Sequence, residues 1–119
     1  MSKSIFHDAR VVGAEYKEQY KLLDLKVRLS NKEMKEISFQ NVFDFGLEGF
    51  CNQNILFDIV QYGQNKEPID EVQMMFPGLT QSLIEFAKNK GYSIYILEPS
   101  SGLTGYIVAT DFTVTNQSS

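Results

Sequence analysis

Few residues in this chain are equipped for chemistry. It holds one histidine, His7, and one cysteine, Cys51. A histidine can act as a general base when a carboxylate orients it, and Asp8 is its neighbour in sequence. Adjacent side chains on an extended chain point to opposite sides, which places Asp8 poorly for that task. A nucleophilic cysteine needs a lowered pKa and a nearby base. His7 is the only histidine that could serve Cys51, and nothing in the spacing brings the two together. The plainer reading puts His7 near the start of the first strand and makes Cys51 a small buried side chain.

The third group is acidic: Asp44, Glu48 and Asp58. Paired carboxylates can do acid–base work or hold hard cations. Asp44 and Glu48 lie around one loop, and Asp58 belongs to the strand beyond it. No Asp-x-Asp-x-Asp-Gly run is present, so an EF-hand is excluded. The plain reading is three solvated carboxylates on strand faces. The sharper reading is an acidic patch that docks a basic partner, and these three are the candidate partner-binding residues. Tyr95, if it faced away from the core, would join Tyr62 in an exposed binding patch; core or sheet-face packing is the default. With one His and one Cys the usual zinc sites cannot be built within the chain. Neither a Gly-x-Gly-x-x-Gly run nor a Walker loop occurs. The expectation is no cofactor, no metal and no catalytic set, which leans against an enzyme.

The elements that must position these residues follow from patterning. Leu23, Leu25, Val27 and Leu29 alternate with Asp24, Lys26 and Arg28, as in a strand with one buried and one wet face. A weaker strand, Arg10 to Tyr16, precedes it, with Val12, Ala14 and Tyr16 as its inner face. Met34 to Phe45 reads as one strand with Ile37, Phe39, Phe43 and Phe45 in phase. Asn41 falls in the same phase, where a polar side chain must find a partner, so a backbone bond at a bulge or bend is expected. Ile55 to Tyr62 is apolar on both faces, with Ile55, Phe57 and Ile59 on one and Leu56, Asp58 and Val60 on the other. Pro68 to Met75 suits a short helix, since Pro68 fits a first turn and Asp70 and Glu71 complement the positive end. Leu79 to Lys90 is the main helix, ended by Gly91. Tyr92 to Leu97 and Gly105 to Thr115 are the last strands.

This order predicts an α+β fold: an antiparallel sheet of about six strands, with one or two helices inserted before the last two strands and packed on one sheet face. The 119 residues fit a single domain over residues 1–119, with no linker or repeat. The hydrophobic fraction of 43% is ordinary for a globular chain. The net charge of −4 and the presence of only two arginines, Arg10 and Arg28, argue against nucleic acid. They leave room for a local basic patch. One cysteine precludes an intramolecular disulfide and fits a reducing compartment. The sequence offers neither a signal peptide nor an apolar run of ~20 residues, so no membrane span and a cytoplasmic location are expected.

The block His7-Asp8-Ala9, the run Leu23 to Leu29, Ile37-Ser38-Phe39 with Val42, and Ile55 to Ile59 resemble small bacterial β-rich domains of unknown function. Some of those domains are immunity proteins of polymorphic toxin systems. The resemblance covers about the first half of the chain and carries no functional residue across. It implies a stoichiometric binder. The expectation is therefore a cytoplasmic protein-binding module, immunity-like in kind. The alternative is a small-ligand binder or enzyme with a pocket between sheet and helix, using His7 or Cys51. A homo-oligomer formed by pairing strand edges is also compatible with the sequence.

Overall fold

The computed structural model describes residues 6–116. The chain forms β1 (Arg10–Lys17), β2 (Leu22–Arg28), β3 (Met34–Gln40), β4 (Asp44–Glu48) and β5 (Ile55–Tyr62). The single α-helix among the described residues, α1 (Gln81–Lys90), precedes β6 (Ser93–Ser101), β7 (Thr104–Ala109) and β8 (Asp111–Asn116). All eight strands join one antiparallel sheet in the order β4-β7-β6-β5-β1-β2-β3-β8.

The expected count of about six strands and one or two helices is therefore corrected to eight strands and one α-helix among the described residues. Two of the long strands are each broken in the middle. Met34 to Phe45 divides at Asn41–Phe43, where Asn41 takes a left-handed φ of 52°. Gly105 to Thr115 divides at Thr110. The breaks face each other: Thr110 N donates to Gln40 O at 3.0 Å, and Phe43 N donates to Val108 O at 2.8 Å. Asn41 Nδ2 donates to Thr110 Oγ1 at 3.0 Å, so its partner at the bend is a hydroxyl and not the expected backbone group. The expected second helix is reduced to a 3-10 turn over Ile69–Val72. Three strands, not two, follow the helix.

These breaks bend the β3–β4 and β7–β8 ribbon as a unit. Because β3 pairs with β2 and β7 pairs with β6, the ribbon returns the sheet onto itself in a barrel-like roll. Every strand contributes to the interior: Val11, Leu23, Leu25, Val27, Ile37, Phe39, Leu56, Tyr95, Leu97 and Ile107 are buried there, with Phe45 and Phe112 packed against them. Phe39 touches the rings of both Tyr95 and Phe112, at 5.2 and 5.7 Å. The roll is least paired between β1 and β5, whose registered pair is Arg10 with Ile55. That seam is extended by backbone bonds joining Asp8 and Ala9 to Leu56 and Val11 to Asn54.

The outer face of β5, β6 and β7 is the second apolar surface. Ile94, Ile96, Tyr106 and Val108 pack there against Leu79, Leu83, Ile84 and Ala87 of the helical segment. Thr80 caps the helix by accepting a hydrogen bond from Leu83 N, and Gly91 ends it at a φ of 76°, which glycine adopts without strain. Alternation therefore gives β6 two apolar faces, Tyr95 and Leu97 inward, Ile94 and Ile96 toward the helix.

Two further phase expectations are overturned. In β1 Val11 takes the inward place expected of Val12, which is 50% exposed, because the register slips between Val11 and Gly13; beyond the slip Ala14 and Tyr16 keep the expected phase, opposite the inward Leu25 and Leu23. In β5 a slip between Leu56 and Asp58 leaves Leu56 and Ile59 inward and Phe57 exposed. One extra residue in a bulge puts the side chains before and after it in opposite phases, and composition does not reveal it.

Candidate ligand surface around Asp44

The bend at Asn41–Phe43 also sets the outward chemistry. Phe39 and Val42 point inward, and the phase resumes with Phe45. Phe43 is thus released outward, 53% exposed, contrary to its expected place on the inner face. Its ring stacks on Phe86 of α1 at 4.0 Å and 23°, and Tyr92 meets both rings at 6.1 and 5.4 Å. Asp44 follows on the same outer side and is half-buried.

Tyr106 holds that carboxylate in place. Its Oη donates to Asp44 Oδ2 at 3.1 Å. The ring is confined by two glycines: a Cβ at Gly46 would lie 2.7 Å from Tyr106 Cε2, and one at Gly78 would lie 2.3 Å from Tyr106 Oη. Only a residue without a Cβ allows the backbones of β4 and the Pro77-Gly78 turn to approach the ring this closely. Burial, followed by the charge of Asp44 and the hydrogen bond donated to it, pushes the Tyr106 hydroxyl up to about 12. Tyr106 therefore stays a donor through the physiological range. A cleft of about 360 Å³ opens beside it, lined by Phe43, Asp44, Gly78, Thr80, Ser82, Leu83 and Phe86. An aromatic wall next to an oriented carboxylate offers an organic cation both a ring face and a charge.

The other two acidic candidates share the outer face but not the cleft. Glu48 pairs with Thr104, Leu97 with Gly105, and Asp58 with Glu98. This register aligns Glu48, Glu98 and Asp58 in one row across the sheet, four positions along β4 from Asp44. Glu98 was not singled out from sequence, because the register that adds it to the row is not local. Asp58 Oδ1 accepts a hydrogen bond from Ile59 N at 2.7 Å, which turns it toward its own backbone. Among the described residues no group of three His, Cys, Asp or Glu side chains is arranged to hold a metal ion.

His7 and Asp8 do meet, at 3.2 Å between Nδ1 and Oδ2, because Asp8 takes a φ of 66° and is not extended. The pair lies against Phe57, with ring centroids 5.1 Å apart, on the far side of β5 and β6 from β4. Cys51 is exposed, contrary to the buried reading, and its Sγ donates to Gln53 O at 3.3 Å. The loop around it is organised by Asn54, which is buried. Asn54 Oδ1 accepts from Cys51 N and Leu103 N, and Nδ2 donates to Cys51 O and Val11 O. Neither His7 nor Cys51 lines the Asp44 cleft. Tyr95 and Tyr62 fall on opposite sheet faces, both buried, so they form no joint exposed patch.

Among the described residues no helix is long and apolar enough to cross a membrane. No family model, curated protein or solved structure matches the chain.

Proposed function

We propose that the protein is a protein-binding module whose Asp44 cleft receives a cationic side chain, Lys or Arg, of a basic partner. The observation that carries this reading is the Asp44 carboxylate, oriented by a buried tyrosine beside the exposed Phe43 stacked on the half-buried Phe86. The net charge of −4 and the acidic row of Glu48, Glu98 and Asp58 add long-range attraction for such a partner. A stoichiometric toxin-neutralising role, as in immunity proteins, is one form of this reading.

Asp44 and the acidic row would then act differently. Asp44→Asn removes a charge that meets its ligand inside the cleft, so it shortens the lifetime of the complex and weakens it by tenfold or more. Glu48→Gln and Asp58→Asn change the association rate and its salt dependence and leave the lifetime nearly unchanged. The test is affinity capture from the native host, followed by binding kinetics with each variant. Equal lifetimes for wild type and Asp44→Asn would refute the assignment of the cleft.

A further inference from the structure

The two arginines of the chain are direct partners on neighbouring strands, Arg10 of β1 opposite Arg28 of β2. Residues directly opposite in an antiparallel pair share a face with Cβ atoms ~5 Å apart, and like charges there repel. Val11 and Val27 point into the roll, so the arginines point outward. Among the described residues neither guanidinium has an ion-pair or hydrogen-bond partner. The chain has 15 acidic side chains against 11 basic ones, so the isolation of this pair is not a shortage of carboxylates. Asp8 is near at hand, yet its carboxylate is turned to His7 at 3.2 Å.

Clefts open on both sides of the pair. One, about 310 Å³, runs toward the β2–β3 turn and is lined by Asp8, Ser30 and Lys32 with both arginines. The other, about 200 Å³, lies under the loop from Phe50 to Asn54 and is again lined by both arginines, with Val12 and Phe50 as apolar wall. Val12 and Phe50 are 50% and 55% exposed.

We infer that this face binds a phosphate monoester, with Arg10 and Arg28 holding the phosphate and Phe50 and Val12 contacting its organic group. A guanidinium fork matches two oxygens of one oxyanion. A carboxylate has only two oxygens and is satisfied by one fork. A tetrahedral phosphate has enough oxygens for two forks and carries about −1.5 to −2 charges at neutral pH. Arg10, Arg28 and Lys32 against Asp8 leave a local surplus of two positive charges, which suits that dianion. The ligand also cancels the repulsion that the cross-strand pair otherwise carries. This site is on β1 and β2, separate from the Asp44 cleft, and does not depend on the reading given to it.

The test is a titration of the full chain with inorganic phosphate and with phenyl phosphate at constant ionic strength, followed by NMR of backbone amides and arginine side chains. The expected result is saturable shifts confined to Arg10, Arg28, the loop 29–32 and the loop 50–54. Phenyl phosphate should bind several-fold tighter than inorganic phosphate, with Phe50→Ala removing the difference. Equal affinity for the two would restrict the site to the free anion and overturn the ester assignment. Arg28→Gln should weaken both by tenfold or more, and Arg10→Lys should fail to restore wild-type affinity although it keeps the charge. Without ligand, Arg28→Gln should melt no lower than wild type, because it relieves repulsion and breaks no bond, so loss of binding is separable from misfolding. Linear, unsaturable shifts, or shifts indifferent to Arg28→Gln, would overturn the proposal.

Discussion

The slot around Tyr106 allows a sharp test by paired substitution. Gly78→Ala places a Cβ 2.3 Å from the Tyr106 hydroxyl and 3.0 Å from ring atoms Cε2 and Cζ. Overpacking of this kind costs about 1–3 kcal/mol. Reduced freedom of the unfolded chain offsets it by about 0.4–1 kcal/mol. Tyr106→Phe alone loses a hydrogen bond to a half-exposed carboxylate, a loss of about 1 kcal/mol. The tightest contact of the Gly78 Cβ is with the hydroxyl that this second change deletes. The double variant should therefore be more stable than the sum of the single effects by about 1 kcal/mol. Gly46→Ala is the control. Its Cβ would meet Cε2 at 2.7 Å, an atom that phenylalanine keeps, so Tyr106→Phe should not rescue it. Urea unfolding of all the variants, compared at constant slope, measures both couplings. Additivity within about 0.5 kcal/mol for the Gly78 pair, or equal rescue of Gly46→Ala, would refute the slot and with it the account of how Asp44 is oriented.

Three other outcomes follow from the structure. Among the described residues the buried Tyr95 hydroxyl has no hydrogen-bond partner, so Tyr95→Phe should leave the thermal midpoint unchanged or raise it. Asn54→Ala strands the N–H groups of Cys51 and Leu103 and should destabilise the fold by about 2 kcal/mol or more in denaturant unfolding. Burial first, and then nearby carboxylates, raise Tyr95 and Tyr106 from 10.0 to about 12. The folded state thus retains protons that the unfolded state releases. Their contribution to stability is whole below pH 10 and is lost as the pH climbs through about 12. Lys17, raised above 10.5 by its hydrogen bond and charge contact with Asp24, acts in the same direction. Denaturant midpoints measured across that range should fall, and spectroscopic titration should leave these two tyrosines the last to ionise.

What the sequence reveals depends on whether the controlling contact is local. Leu23, Leu25 and Val27 are separated by single polar or charged residues, and all three are buried as that alternation predicts. The end of α1 is equally local, since Gly91 both stops the helix and takes the left-handed turn. The bends at Asn41–Phe43 and Thr110 are different. Each is stabilised by the other, 70 residues apart along the Thr110–Gln40 bond, and neither carries a proline or glycine to mark it. Reading through them merges four strands into two and turns Phe43 inward. Asp44 was legible as a candidate by residue type. Its neighbours were not: Tyr106, Gly78 and Phe86 converge on it only through the β4–β7 pairing and the packing of α1. The pairing of Arg10 with Arg28 likewise depends on hairpin register, which a one-residue slip at Val11–Gly13 alters.

The central claim is that the Asp44 cleft is the binding surface. Its most direct test is affinity capture from the native host with wild type and with the Asp44→Asn, Phe43→Ala double variant, both first confirmed folded. The account predicts a basic protein recovered at near-equal stoichiometry with wild type and lost with the variant. Recovery of the same partner in the same amount by both would contradict it.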